Sequence, residues 1–509
     1  MGGKHKLLQD FLTNLLFIMI LFGSITSISE ERSIVEPKHI IEEQMDFSTG
    51  MKQNKADSLG DQNDFWVNDP DTGDYEQVTA KLLSIGQHCY IYVDLTTITS
   101  LGETEATERS DMYSNEFDSI MYPTNLELVG HPDGNIGDVD GDPKITVLIT
   151  PESYGGAYFF KDDDPTHPYS NNREMFYIHP DIGEKRILSN MIHELNHLIW
   201  FNHEQDEAII VLEGTAEYSR YKAGYLNNES FISAGVAADY NLTIETNYFM
   251  SNPEGSLLYW DYSITALNIA SYGRSYMFIL YLSERFGEEF ITDLVTIEED
   301  GPAGIEKALQ NKGLDLSFND IFLDWITACT IDLEEFADDR YGYQTADFKI
   351  SSVNPIFQLP YTSAEIKYNL YGFRVSKLYS PPNEFTVKLT NPEPYILGIS
   401  VIINDNNGWS ITQIISNNIN DDESYFYFSG DEINDAYIIT SIIDTNTPSA
   451  PNYNNPGVTA PIKYLTLTIL DGHISPTNTE NANLKLIYIG FCIALPVISI
   501  RQLRRKKRD

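Results

Sequence analysis

Two histidines one helical turn apart, in His193-Glu194-Leu195-Asn196-His197, constrain this chain more than any other feature of its 509 residues. Residues four apart on an α-helix stack on one face, so both imidazoles can reach one tetrahedral cation while the Glu between them flanks it. A metal that performs chemistry holds three protein ligands and keeps a fourth place open. The third ligand must come from outside the pair, and Glu213 in Leu212-Glu213-Gly214-Thr215-Ala216-Glu217-Tyr218 is the best placed. His203, ten residues after His193, is a rival. The pattern with that offset uses Gly at its eighth place for a sharp turn, whereas Trp200 stands here and tolerates positive φ poorly.

Leu188, Met191, Ile192, Leu195, Leu198 and Ile199 recur at helical spacing and predict a helix from about Glu184 to Phe201. The histidines fall nearly opposite this apolar stripe, with Arg186 and Asn190, on what should be a polar face rather than in the core. A second helix is expected from about Ala208 to Lys222, with Glu213 and Glu217 one turn apart. Two carboxylates on a mostly apolar helix are costly without a cation. They become natural if Glu213 ligates the metal and Glu217 hydrogen-bonds a ligating histidine from behind. Otherwise Glu217 is an exposed Glu beside Tyr218 and Arg220. Two imidazoles and a carboxylate suit Zn2+ best and admit cobalt or manganese.

The same region resembles a known family. Glu174-Met175-Phe176-Tyr177, the His193 to His197 run and Leu212-Glu213-Gly214 together resemble the hyicolysin-like neutral zinc metallopeptidases, within the thermolysin-like gluzincin group. The likeness continues in Phe65-Trp66-Val67, Tyr90-Ile91-Tyr92-Val93, Phe117-Asp118 with Met121-Tyr122-Pro123, Asp138-Val139-Asp140, and Ser275-Tyr276-Met277-Phe278 with Asp324-Trp325. It covers roughly residues 65 to 335. The resemblance implies a secreted zinc endopeptidase with His193, His197 and Glu213 as ligands, Glu194 as catalytic base and Glu217 at the acidic position behind a ligand. Leu212 replaces the family's usual Asn before the third ligand, and Asn196 replaces Gln or Thr inside the motif; neither change touches a ligand. The family's transition-state stabiliser is usually a Tyr or His from a later helix, for which Tyr272 and Tyr276 are candidates.

Metal-assisted hydrolysis of protein or peptide substrates follows, with Glu194 taking the water proton and later delivering it to the leaving amine. A strand at Glu174 to Ile178, just before the site helix, is either a cleft edge that pairs with an extended peptide or an internal strand. The alternative function is a catalytically inactive cell-surface binding or adhesion protein on a peptidase scaffold. The intact Glu194 argues against it, because such a scaffold has no need of a carboxylate beside the metal. A zinc hydrolase acting on a small molecule or lipid would differ only in cleft shape.

The two ends set the expected location. Residues 1–29 carry Lys4 and Lys6, an apolar stretch from Phe11 to Phe22 and then small residues, as a signal peptide does. Leu486 to Ile500 is apolar and is followed by Arg501, Arg504, Arg505, Lys506, Lys507 and Arg508, a tail expected to stay cytoplasmic. These fifteen residues reach about 22 Å against a hydrocarbon core of about 30 Å, so a span needs extension to Ala482 with Lys485 snorkelling. A transmembrane anchor is preferred over a processed sorting signal. Either disposition puts the enzyme outside the cell, at its surface or secreted after tail processing. A net charge of −42, with the only dense basic cluster in the tail, excludes nucleic-acid binding.

The overall expectation is an α+β chain: a two-lobed gluzincin-type zinc peptidase domain, a β-sandwich domain and a C-terminal transmembrane segment. Its boundaries are a linker or propeptide at 30–62, the peptidase at 63–350, the sandwich at 351–470, a stalk at 471–483 and the transmembrane segment with its basic tail at 484–509. Strands are expected at Ala80–Ile85, Tyr90–Val93 and Ile145–Thr150, and helices near Thr107–Ile120, Ser275–Phe286, Glu289–Ile297, Gly304–Gln310 and Phe318–Asp332. The sandwich strands are read at Tyr371–Lys377, Glu384–Leu389, Tyr395–Ile402, Ser424–Phe428, Tyr437–Ile443 and Ile462–Ile469. Asp138-Val139-Asp140-Gly141-Asp142 can gather Ca2+, but its Gly falls two places early for the usual loop, which favours a plain turn. Cys89 and Cys329 allow one bridge or two buried thiols. Nothing in the residues fixes an oligomeric state.

Overall fold

The computed structural model describes residues 56–474 apart from 69–73, 131–138, 154–155, 227–242, 335, 391–394, 417–422, 445–449 and 453–457. The expected signal peptide, most of the linker, Asp138, and the apolar run with its basic tail lie outside the described residues. Among the described residues no helix is long and apolar enough to cross a membrane.

The chain folds as a mixed α+β structure with a β-rich C-terminal part. Its first sheet has six strands in the order β1-β2-β3-β4-β6-β5: β1 Gln62–Asn68, β2 Tyr75–Ile85, β3 Cys89–Asp94, β4 Ile145–Ile149, β5 Gly156–Tyr158 and β6 Met175–Ile178. Strands β3, β4 and β6 run parallel and are buried along their whole length, as the continuous apolar runs require when both faces are covered. Alternation sorts their side chains. Ile91, Val93, Val147 and Phe176 face the helices, while Tyr90, Tyr92, Leu148 and Tyr177 pack a second, smaller cluster with Phe65 and Val67. β6 is therefore internal, and the edge is β5, which pairs antiparallel with it in the register Gly156–Ile178 and Tyr158–Phe176.

Helix α1 (Leu95–Leu101) starts at Asp94, whose carboxylate accepts the Thr96 N–H at 2.6 Å as an N-cap. α2 (Glu103–Glu116) continues through a π turn at Phe117–Met121 into α3 (Tyr122–Val129). The helix expected near Thr107–Ile120 is thus longer at both ends, and Pro123, which has no N–H to give, follows closely on the π turn. There follow α4 (Glu184–Phe201), α5 (Ile209–Lys222), α6 (Ile244–Ser251), α7 (Thr265–Phe286), α8 (Glu289–Leu294), α9 (Gly301–Asn311) and α10 (Phe318–Ile331). α7 begins well before the expected Ser275. Its first turns are half-exposed, so they lack the apolar stripe that marks the rest.

Beyond these helices two five-stranded sheets face each other. One runs β13-β12-β15-β10-β7, the other β14-β11-β16-β8, with a further strand β9 (Ile366–Asn369) also on β16. The first holds β7 Val353–Ile356, β10 Phe373–Leu378, β12 Ile396–Asp405, β13 Gly408–Ser416 and β15 Asp435–Ile443; the second holds β8 Tyr361–Thr362, β11 Glu384–Thr390, β14 Glu423–Ser429 and β16 Ile462–Asp471. Val387, Leu389, Ile399, Val401, Ile438 and Leu467 fill the space between them. The first sheet's other face, with Phe373, Val375, Ile402, Ile439 and Ile443, joins the helical core. A backbone contact also ties this region to α5: Ile209 N–H donates to Pro451 O at 3.0 Å, and Asn452 Nδ2 donates to Asp206 O at 3.0 Å. Cys89 and Cys329 are free and buried.

Candidate metal centre

α4 spans Glu184–Phe201 as its apolar spacing dictates, but the face opposite the stripe is not open to solvent. α5 lies across it, β5 passes beside Glu194 and Asn125 of α3 bonds Asn196, so that Glu194, Asn196 and His197 are buried. The expected polar face is therefore an interhelical one. Gly214 permits the arrangement on the far side of α5: a Cβ there would stand 2.5 Å from Ile279 Cγ1 and 2.9 Å from Ser275 O, both on α7.

Three donor atoms converge between the helices. His193 Nε2 lies 3.0 Å from His197 Nε2 and 3.3 Å from Glu213 Oε2, and His197 Nε2 is 3.5 Å from the same oxygen. Tetrahedral ligation with bonds of about 2.0–2.1 Å sets ligand atoms about 3.3 Å apart, so this spacing fits zinc. His203 lies in the turn after α4 and is outside the converging group.

Charge tells the same story as distance. Three carboxylates, Glu194, Glu213 and Glu217, are buried with the single guanidinium of Arg220, a surplus of two negative charges if the imidazoles are neutral. A divalent cation would balance them. Burial opposes a charged His193, yet its bonds to Glu213 and Glu217 push the imidazole up to about 10. Burial would likewise raise Glu213, but the two imidazoles hold it well below the usual carboxylate range. The residues present thus fit a zinc ion in donor type, spacing and charge.

The other expected residues fall around this centre. Glu217 Oε1 lies 3.2 Å from His193 Nδ1, and Arg220 Nη1 donates to both Glu217 oxygens at 2.6 and 2.5 Å. Burial raises the Glu194 carboxyl, an effect the imidazoles partly offset, and its carboxylate accepts the Tyr158 N–H of β5. A Cβ at Gly156 would sit 2.6 Å from Glu194 Oε1, so only glycine lets the edge strand pass this close. The Tyr272 ring centroid is 6.4 Å from that of His193, and Trp260 braces Tyr272 edge-on at 4.8 Å. The charge of Glu213, then burial, pushes the Tyr272 phenol up. Tyr276 is buried near Tyr221 and Glu217 instead.

Arg220, Gly156 and Tyr158 belong to this site but were not legible as such from sequence. Only Arg220 leaves a signal, since Glu213, Glu217 and Arg220 at i, i+4 and i+7 share one helical face. Among the other expected ligands, Asp140 Oδ1 accepts the Asp142 N–H at 2.8 Å and Asp142 Oδ2 accepts from Tyr90 OH at 2.7 Å, in a turn leading to β4.

No family model matches the chain. A stretch of 288 residues is 26% identical to the neutral metalloprotease ShpI of Staphylococcus hyicus, covering 50% of this chain and 58% of that protein. The chain thus spans under two thirds of the relative's length. Among solved structures, the pre-peptidase C-terminal domain of a Bacillus anthracis collagenase aligns at 14% identity over 23% of this chain and 93% of its own, with a TM-score of 0.16. CorA, a surface-associated copper-binding protein of Methylomicrobium album BG8, aligns at 12% identity over 23% and 98%, also with a TM-score of 0.16. Scores this low carry no structural argument.

Proposed function

We propose that this chain is an exported zinc metalloendopeptidase that hydrolyses peptide bonds in protein or peptide substrates, with Glu194 as general base. The observation that carries this reading is the meeting of His193 Nε2, His197 Nε2 and Glu213 Oε2 at tetrahedral spacing beside a buried Glu194. Similarity to a neutral metalloprotease supports it. Zinc held by these three residues would supply an acidified water and polarise the scissile carbonyl.

The chain's own residues do the rest. Glu194, oriented by the Tyr158 N–H, takes a proton from the attacking water and hands it to the leaving nitrogen; its raised proton affinity suits both steps. Tyr272, kept protonated by Glu213 and burial, donates to the oxyanion as it forms. The open edge of β5 pairs with an extended substrate backbone, placing the scissile bond beside Glu194. Residues 63–350 would form the two-lobed gluzincin-type unit and 351–470 an appended β-sandwich. Surface attachment rests on the apolar run and basic tail, outside the described residues.

Digestion of casein by the purified protein, with and without a chelator and beside Glu194→Gln, tests the proposal. Chelator-sensitive cleavage that falls by about 10²–10⁴-fold in the variant, with zinc retained, is the expected result. Bound zinc with no cleavage of any protein would favour a cell-surface binding role instead.

A further inference from the structure

We infer that Arg220 is a positioning residue for the metal centre: it locks the Glu217 carboxylate, which in turn fixes the imidazole of His193. The inference rests on the zinc reading above.

The connection is continuous and spans both site helices. Arg220 Nε donates to Ser189 Oγ on α4 at 2.6 Å, while its Nη1 donates to both oxygens of Glu217 on α5. Glu217 Oε1 accepts from His193 Nδ1. Ser189 lies one turn before His193, so the guanidinium closes a loop through two helices and back to the same imidazole. A planar guanidinium presents donors in a fixed fork, and here one arm takes both carboxylate oxygens while the other holds the facing helix. Glu217 therefore cannot rotate without breaking a bond.

The consequence lies at the other ring nitrogen. With Nδ1 held by Glu217, it is Nε2, the atom that faces Glu213 and His197, that is left to bind a metal once its proton is displaced. Arg220 is buried, so water does not compete for these bonds. The Coulomb partners of Arg220 are Glu217, Glu245 on α6 and Tyr276 on α7. A lysine would restore positive charge but could not grip Glu217 and Ser189 together.

A buried ion pair that merely joined helices would show in stability and not in metal affinity, and this separates the readings. Zinc affinity is measured by competition with a fluorescent chelator for the full chain, Arg220→Gln, Arg220→Lys, Glu217→Gln and the double variant. Arg220→Gln should weaken zinc binding by about 10–100-fold and Arg220→Lys by less. In the Glu217→Gln background, Arg220→Gln should have no further effect on zinc affinity, because Arg220 acts through Glu217. Asp324→Asn, which breaks a buried ion pair on α10, serves as control: a lower Tm with unchanged zinc affinity. Equal losses in both backgrounds, or a lower Tm with full zinc affinity in Arg220→Gln, would overturn the inference. Should Arg220→Gln fail to fold, the same cycle run with Arg220→Lys decides. Wild-type protein that takes up no zinc would remove the metal reading itself. Zinc uptake and casein cleavage by the wild type, with full zinc affinity in the Arg220 variants, would remove only this inference.

Discussion

The first region, with its six-stranded sheet and helices, and the two-sheet region both bury apolar cores but very different polar groups. Among the described residues the two-sheet region buries only hydroxyls as polar side chains: Ser376, Thr386, Ser400, Thr440 and Ser441. The first half buries Asp162, Asp163, Glu174, Glu194, Glu207, Glu213, Glu217, Arg220, Arg274 and Asp324. A buried charge is expensive unless paired, whereas a hydroxyl is satisfied by one neighbour. Some of these charges meet at the donor cluster, and others, such as Asp162 with Lys161 and Tyr177, are held against the first sheet.

That contrast can be broken or sharpened by mutation. The largest effect should come from Glu213→Ala, which removes one of the three converging donors: zinc affinity falls by more than about 100-fold and cleavage disappears, read by metal analysis and casein digestion. Next is Asp324→Asn. Its carboxylate binds Arg285 at 2.6 Å and Arg340 at 2.7 Å; Arg340 is over a third exposed, so the cost falls mainly on the more buried Arg285, which keeps only its bond to Tyr281, and should be about 3 kcal/mol in urea unfolding.

Glu207 gives a smaller, pH-dependent effect. Burial, with Asp300 and Asp206 nearby, pushes it from 4.5 up to about 8 against the backbone N–H bonds of Ala208 and Gly301. A folded value above the unfolded one means stability that is full below about pH 4.5 and is lost as pH rises through about 8. Glu207→Gln cannot ionise, so it should match the parent at pH 4 and exceed it by about 1–2 kcal/mol at pH 9, measured by thermal unfolding. The smallest effect belongs to the two-sheet region. Thr440→Val removes the partner of Tyr368 OH, 2.6 Å away, and should cost about 1 kcal/mol at every pH. A charge-sized penalty there would break the contrast.

Legibility followed the same division. The extent of α4, the position of α5 and the α+β class could be read directly, because heptad-like apolar spacing and two histidines at i, i+4 are local signals. What lies opposite a helix face is not local. Sequence placed His193 and His197 on a polar surface, whereas α5 buries that surface and turns it into a donor cluster. β5 was not read at all because it has three residues, too few for a period-2 pattern, and the strand at Glu174 to Ile178, left open as cleft edge or internal strand, is internal. β13 escaped for a different reason: its side chains are mostly half-buried, and a two-residue turn at Asn406 and Asn407 joins it directly to β12.

The first turn of α5 has no side-chain cap of its own, and one of its free N–H groups is met by the carbonyl of Pro451. Ile209 and Pro451 lie far apart in sequence, so the start of the helix bearing Glu213 is held by backbone from the two-sheet region rather than by its own neighbours. Parting the two regions would leave that N–H to water and loosen the turn that precedes Glu213.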